Sequence, residues 1–460
     1  MFHPHIATIT VLMVCACGDS NKGKWARPPA SDPDIETDSD VIVVPPVLEF
    51  DGLAPSNVLM ISIDTFRRDH MARYGGPGAT PFLDELATAG VALDDHTSCS
   101  NWTYAATTCT VLGRSNVDNG FMPKFNGADR EPLPENTPTL ASWLGESGYY
   151  SILESHNQFL SSEWNNDQGY DLSTLHLGSD TSELFDLGLA NLDDAIASGA
   201  DKWFLHLHLM QPHAAYNPAP EYLTELSALD PIPWDLNFGA GHEAAIAEMY
   251  DHGQEMVNLV LAHLGVRYRG ELLSMDDQIR AAFDDLDRRG LLDDTLVVFW
   301  TDHGEAFDEH GHMAHAWTLH RPENDSVLFF WAQNIEPDVW AGPTASTDMA
   351  PTILDVLGID PAPEITGVPV GQASEHRARF AFSIARDGAT QSIRKGNWKL
   401  IFNWRGEVET YDLDADPDEQ NNLAEVGHAE TQSLWDELQP VANAAVPLAP
   451  EVSITWPEGL

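Results

Sequence analysis

Two acidic residues and one histidine carry the first chemical signal in the sequence. Asp64 ends the apolar run Val58-Leu59-Met60-Ile61-Ser62-Ile63, and Asp302 and His303 follow a second run, Leu296-Val297-Val298-Phe299-Trp300, through Thr301. Two carboxylates and an imidazole are a hard-to-intermediate donor set suited to one divalent cation. Asp-His-Gly alone is also an ordinary surface turn, so the elements that carry these residues decide whether they meet.

Both runs are short, continuous and rich in β-branched residues, the pattern of strands buried on two faces. After the first, Thr80-Pro81 followed by Leu83, Leu86, Ala87 and Gly90 predicts a helix with Thr80 as N-cap, Pro81 in its first turn and Gly90 as its stop. Trp203 to Leu209 is a third strand candidate. Leu272, Met275, Ile279, Phe283 and Leu286 mark one helix face that ends at Gly290 and leads into the run at Leu296. Strand and helix alternate as in a parallel α/β sheet, where ligands bind beyond the carboxyl ends of the strands. Asp64 and Asp302 are therefore expected to share one site.

From Ser326 to Trp331 a further strand is expected, followed by a Pro-rich passage to about Pro369. The texture then changes to short segments with Gly turns (Ser392 to Phe402, Gly406, Thr410 to Leu413) and a closing amphipathic stretch from Thr431 to Val441, which predicts a small α+β subdomain with an antiparallel sheet. The fold class expected is α/β, a large mostly parallel sheet flanked by helices, with this small C-terminal α+β subdomain.

The chain has 460 residues, enough for one large domain and an appendage. Its 72 acidic against 23 basic residues give a formal charge of −49, which repels nucleic acid and anionic lipid. An anionic substrate in such a protein needs local positive charge, and a bound cation supplies it. Ile6 to Ala16 is too short to span a bilayer and reads as a signal peptide. Val14-Cys15-Ala16-Cys17 resembles a bacterial lipoprotein box in which Cys17 becomes the lipidated first residue, so any membrane attachment is expected through lipid alone. The expected organisation is a signal peptide at 1–17, an acidic, Pro-rich tether at 18–50, the large domain that carries the candidate site at 51–370, the small subdomain at 371–445 and a tail at 446–460. Cys99 and Cys109 are the two cysteines left in the mature body, enough for one bond but not for a disulfide framework.

Several ordered stretches together resemble the sulfatase family of the alkaline-phosphatase-like superfamily: Ile61 to His70 around Asp64, Asn101-Trp102-Thr103, Leu209 to His213, Leu292 to Val298, Thr301 to Glu305 with Glu309-His310-Gly311, and the tail signatures Gly396 to Ile401, Tyr411 to Leu413 and Asp416 to Leu423. The resemblance runs from about Ser56 to about Ala424. It implies a metal-dependent hydrolase of sulfuric or phosphoric esters, with Asp64, Asp302 and His303 at the metal and a small anionic ester as substrate. It also places His213 and His315 where relatives keep residues that contact substrate or move protons, a role that imidazole suits near neutral pH.

Thr103 falls where sulfatases keep the Cys or Ser that becomes formylglycine, and Thr103-Tyr104-Ala105-Ala106-Thr107 lacks the accompanying Pro, Ser and Arg. It resembles instead the phosphodiesterase and phosphotransferase branches, whose hydroxyl is itself nucleophile and metal ligand, activated by the cation. Thr103 is equally suited to cap the helix that runs through Val111 and Leu112. Thr65, replacing a second Asp, removes one anionic donor and moves the preference of the single divalent cation from Ca²⁺ towards Mn²⁺ or Zn²⁺. A rival reading is a catalytically inactive, tethered metal-binding protein that kept the fold. Arg67 and Arg114 could supply positive charge to an anionic substrate, or equally well serve as surface or structural ion pairs, whereas Trp398, Trp404 and Tyr411 fit a core better than a sugar-stacking surface.

Overall fold

The computed structural model describes residues 48–457 other than 126–129, 179, 233–248, 387 and 451. The signal-peptide and lipobox expectations, and most of the tether, lie outside the described residues.

The large sheet has eight strands: β1 (Asn57–Ile63), β2 (Val91–Thr97), β3 (Tyr150–Ser155), β4 (Leu172–Leu175), β5 (Trp203–Leu209), β6 (Thr295–Thr301), β9 (Leu328–Trp331) and β10 (Asp338–Ala345). A two-stranded ribbon, β7 (Ala306–Phe307) with β8 (Met313–Ala314), lies between β6 and β9 in sequence. Across the large sheet the order is β10-β2-β9-β6-β1-β5-β3-β4. All pairings are parallel except those of β9, which runs antiparallel to β2 and β6. The Ser326 to Trp331 run is thus the reversed strand that makes the sheet mixed. At the centre, Ile63 aligns with Leu209 of β5 and Thr301 of β6, so the three strands end level and Asp64 and Asp302 leave the same edge.

One face of the sheet packs on a helix far longer than the predicted 272–286 segment, Gln254–Arg288. Its buried Val257, Val260, Leu264, Tyr268, Leu272, Met275, Ile279, Phe283 and Leu286 recur every three or four residues and meet Leu59, Ile61, Ile63, Leu205 and Leu207. Each such side chain contributes about 1.5–3 kcal/mol on burial. The opposite face packs Val58, Met60, Phe204, Val298 and Trp300 on helices Leu140–Glu146 and Met349–Val356.

Helix Pro81–Ala89 stops at Gly90 as expected, where a Cβ would stand 2.1 Å from the Phe330 carbonyl oxygen. Its start differs: Thr80 makes no side-chain cap bond. The Asp276 carboxylate instead accepts from the Phe82 and Leu83 N–H groups at 2.8 and 2.9 Å, so the long helix caps the short one. Beyond the main sheet, β11 (Arg379–Ala385), β12 (Gly388–Lys395), β13 (Trp398–Asn403) and β14 (Glu407–Asp412) form an antiparallel meander. Helix Ala429–Ala445 closes it, burying Leu434, Trp435 and Leu438 against Ile393, Leu400, Phe402 and Trp404. Trp404 and Tyr411 are buried, while half-buried Trp398 stacks on His428 at 4.9 Å.

Candidate active site

At the carboxyl edge of β1, β5 and β6, the side chains of Asp64, His208 and Asp302 converge in full burial, with donor atoms all within 4.8 Å of one another. Asp64 Oδ2 lies 3.5 Å from His208 Nε2, and His303 Nε2 lies 3.8 Å from Asp64 Oδ1 and 3.5 Å from Asp302 Oδ2. Among the described residues Asp64 Oδ1, Asp302 Oδ2 and His208 Nε2 have no hydrogen-bond partner. Buried polar atoms are almost always satisfied, so three orphans facing one point mark a place for a cation.

The loops after the strands are built around this point. Thr65 adopts φ 53°, a left-handed conformation that turns the chain away from β1 and lets its N–H donate to Asp302 Oδ1 at 3.3 Å, while Tyr268 donates to the Thr65 carbonyl at 2.7 Å. His303 N–H also donates to Asp302 Oδ1, at 2.8 Å. Gly304 is obligatory by contact, because a Cβ there would stand 2.0 Å from the Pro322 carbonyl oxygen. With His303 Nδ1 donating to the Gly304 carbonyl at 2.9 Å, the lone pair of Nε2 faces the cluster, the tautomer that a metal requires.

Electrostatics agree with a place suited to positive charge. Burial alone raises the Asp64 carboxyl, yet His213, His208 and His303 hold it below the usual range. Burial and the neighbouring Asp64 charge push Asp302 well above it. Two carboxylates this close do not both ionise in a dry site without a cation between them. The donor set therefore fits a divalent ion, with mixed oxygen and imidazole character.

Thr103 is the first residue of helix Thr103–Leu112, not its cap; Trp102 holds the cap position and no side chain caps the helix. Its hydroxyl lies 3.3 Å from Asp64 Oδ2, 3.4 Å from His303 Nε2 and 3.4 Å from Asn157 Nδ2. Asn157 also donates to Asp64 Oδ2 at 2.8 Å. Cys99 and Cys109 are disulfide-bonded, tying this helix to the segment that precedes it.

His315 and His213 border the same space: the His315 ring is 4.6 Å from that of His303 and 5.3 Å from that of His213. His315 Nδ1 pairs with Glu305 Oε1 at 3.0 Å, and Glu305 also accepts from Tyr216 at 2.8 Å. Glu305 is pushed down to about 2: burial opposes ionisation, but His315 and His213 outweigh it. Burial lowers His315 despite Glu305. At His213 burial acts the same way but is overcome by the charges of Asp64 and Glu305, which raise it. Gln211 is spoken for, donating to Glu271 at 2.7 Å and accepting from Thr181 at 2.9 Å. His310 and His312 stack on His320 and Trp317 at 3.6 and 5.3 Å. Arg67 is buried between Asp69 and Glu309, both at 2.7 Å.

All six sequence-derived residues, Asp64, Thr103, His213, Asp302, His303 and His315, thus come together. Sequence reasoning missed His208 and Asn157. His208 had a signal: imidazoles at 206 and 208 in an otherwise apolar strand must find partners. Asn157 follows β3 with no pattern to mark it.

Comparison with known proteins identifies the family and the fold. The Sulfatase family model matches residues 56–359. Choline-sulfatase of Rhizobium meliloti is 29% identical over 34% of this chain and 32% of its own length, so that likeness spans about a third of the relative. N-acetylglucosamine-6-O-sulfatase of Bacteroides thetaiotaomicron is 21% identical over 83% of this chain and 84% of its own. The solved phosphonate monoester hydrolase of Silicibacter pomeroyi superposes with a TM-score of 0.65 at 20% identity, over 85% of this chain and 95% of that one. The fold is that of the alkaline-phosphatase-like superfamily. Within that superfamily, the chain belongs to the sulfatase family.

Proposed function

We propose that this protein is an exported, cation-dependent hydrolase of sulfate, phosphate or phosphonate esters, with phosphorus esters preferred, in which the Thr103 hydroxyl is the nucleophile. The observation that carries this reading is the position of Thr103 Oγ1, within 3.4 Å of both Asp64 and His303 beside the orphaned carboxylate oxygens. A divalent cation held by Asp64, Asp302, His303 and Thr103 would lower the pKa of the hydroxyl and offset the charge of the ester. Thr103 Oγ1, its proton given up to solvent on ionisation, bonds to phosphorus or sulfur in line with the leaving oxygen, whose bond to that centre breaks, and it leaves again as the alkoxide when water attacks. His213 is suited to protonate the departing alkoxide: its Nδ1 is engaged with the Ala214 carbonyl at 2.6 Å, and the surrounding carboxylates favour its charged form. His315, oriented by Glu305, faces the same space and is suited to take the proton from the water that releases Thr103. Asn157 holds the Asp64 carboxylate against the hydroxyl.

The preference for phosphorus rests on Thr103 itself, since a threonine cannot yield the formylglycine used on sulfate esters. Export is supported by the Cys99–Cys109 bond, because disulfides persist in oxidising compartments. In this reading membrane attachment is through lipid at Cys17, on the strength of the lipoprotein-box resemblance; among the described residues no helix is long and apolar enough to cross a membrane.

The test is to load the purified protein separately with Ca²⁺, Mn²⁺ and Zn²⁺ and assay aryl sulfate, phosphate monoester, phosphate diester and phosphonate ester, with Thr103→Ala alongside. A phosphorus ester is expected to turn over, and the variant to lose about a thousandfold or more in kcat/KM. Preferential sulfate cleavage would overturn the account of Thr103. No turnover with any cation would favour the tethered binding protein instead.

A further inference from the structure

We propose that His208 is an additional ligand to the cation, and that Ser62, His206 and Tyr170 form a buried relay of positioning residues that fixes its ring and tautomer. This rests on the cation reading given above. β5 is buried along its whole length, and His206 and His208, two residues apart, project from the same face. On the neighbouring strand Ser62 is the direct partner of His208. Its Oγ lies 2.8 Å from His208 Nδ1 and 2.8 Å from His206 Nε2, and His206 Nδ1 lies 2.9 Å from the Tyr170 hydroxyl. The Tyr170 ring in turn stacks on Phe204 at 5.6 Å.

Three of the four imidazole nitrogens in this chain of contacts are therefore paired, and the fourth, His208 Nε2, points at the carboxylate cluster without a partner among the described residues. The proton count ties the two ends of the chain of contacts together. A serine hydroxyl has one hydrogen, so when Ser62 donates to His206 Nε2 it must accept from His208 Nδ1–H, and Nε2 of His208 is left with its lone pair. His206 then carries its hydrogen on Nδ1 and donates to the Tyr170 oxygen. All three bonds share one polarity, running outward from the cluster. With the opposite polarity, His208 Nε2 would carry a hydrogen directed at Asp64 and could not bind a metal. Outer partners of this kind commonly set ligand orientation, and their loss costs about 10–100-fold in metal affinity. Two buried histidines merely satisfying each other would need no orphaned nitrogen at the cluster.

The test is a titration of the full chain with Co²⁺, followed by its visible absorption, and with Mn²⁺ by calorimetry. His208→Ala is expected to weaken binding and shift the Co²⁺ bands, as one nitrogen donor is lost. Ser62→Ala should weaken binding by about 10–100-fold, and Ser62→Thr, which restores the hydroxyl, should recover most of it. Tyr170→Phe keeps the ring stack and removes only the outermost oxygen, so it reads the relay even if the serine variant folds poorly; a loss of a few fold is expected. Wild-type binding matched by all four variants would overturn the relay and leave the cation reading standing. Failure of the wild type to bind either ion would overturn both.

Discussion

The two faces of the central sheet are made by the same strands and do different work. Facing the long helix, Leu59, Ile61 and Ile63 of β1 and Leu205, Leu207 and Leu209 of β5 are apolar from end to end. On the other face the same strands read Val58, Met60, Ser62 and then Asp64, and Phe204, His206, His208: apolar at the amino end, polar at the carboxyl end. The first face and the lower half of the second supply the burial that holds the sheet. The upper half of the second face can then keep features that cost stability, such as two adjacent buried carboxylates, an unpaired imidazole nitrogen and a left-handed threonine. Function and stability are divided along single strands by the two-residue alternation of side chains.

Substitutions on the two faces should therefore separate the two properties. Thr103→Ala should give the largest change in activity while leaving the thermal midpoint of the metal-free protein close to wild type, because Thr103 Oγ1 supports no backbone cap. Phe283→Ala on the first face should do the reverse. Its ring is fully buried against Phe82 at 5.3 Å and Phe299 at 5.8 Å, so about 3–5 kcal/mol of stability should be lost in denaturant melts, with kcat retained where the variant is folded. A large loss of kcat in that variant would mean the faces are not independent.

Asp302→Asn sharpens the contrast further. Removing one of two like charges from a dry site should weaken cation binding by about a hundredfold or more, yet raise the melting temperature of the metal-free protein, since the remaining amide oxygen can still accept from Thr65 and His303. A fall in both quantities would show the carboxylate to be structural. The smallest effect lies away from both faces, at Glu409. Burial there would raise the carboxyl, but His320 and Tyr411 outweigh it and hold the group at about 2 against its ordinary 4.5. A carboxyl lowered on folding stabilises above its unfolded pKa and loses that contribution as pH falls through its folded one. Between about pH 4.5 and pH 2, wild type should thus lose stability more steeply than Glu409→Gln, which urea melts across that window would measure.

Much of this division is legible in the sequence. Asp64 and Asp302 stand out because a buried strand that stops at an acidic residue puts a charge at a sheet edge. What is not legible depends on partners far away along the chain. Asp276 caps a helix nearly two hundred residues before it, so Thr80 looks like the cap although it is not. The direction of β9 is set by its neighbours, not by its composition. In the long helix, His263, Arg267 and Glu271 interrupt the apolar text and conceal the first half of its buried face. His208 is hidden for a related reason: within a run of buried residues, a ligand and a core side chain differ only in what lies across the sheet.

The most direct test of the central claim is to quench turnover of an activated aryl phosphorus ester in acid and map the peptides by mass spectrometry. The account predicts a covalent phosphorus adduct on Thr103, present in the wild type and absent from Thr103→Ala. Steady turnover with no adduct on Thr103, or undiminished activity in the alanine variant, would contradict it.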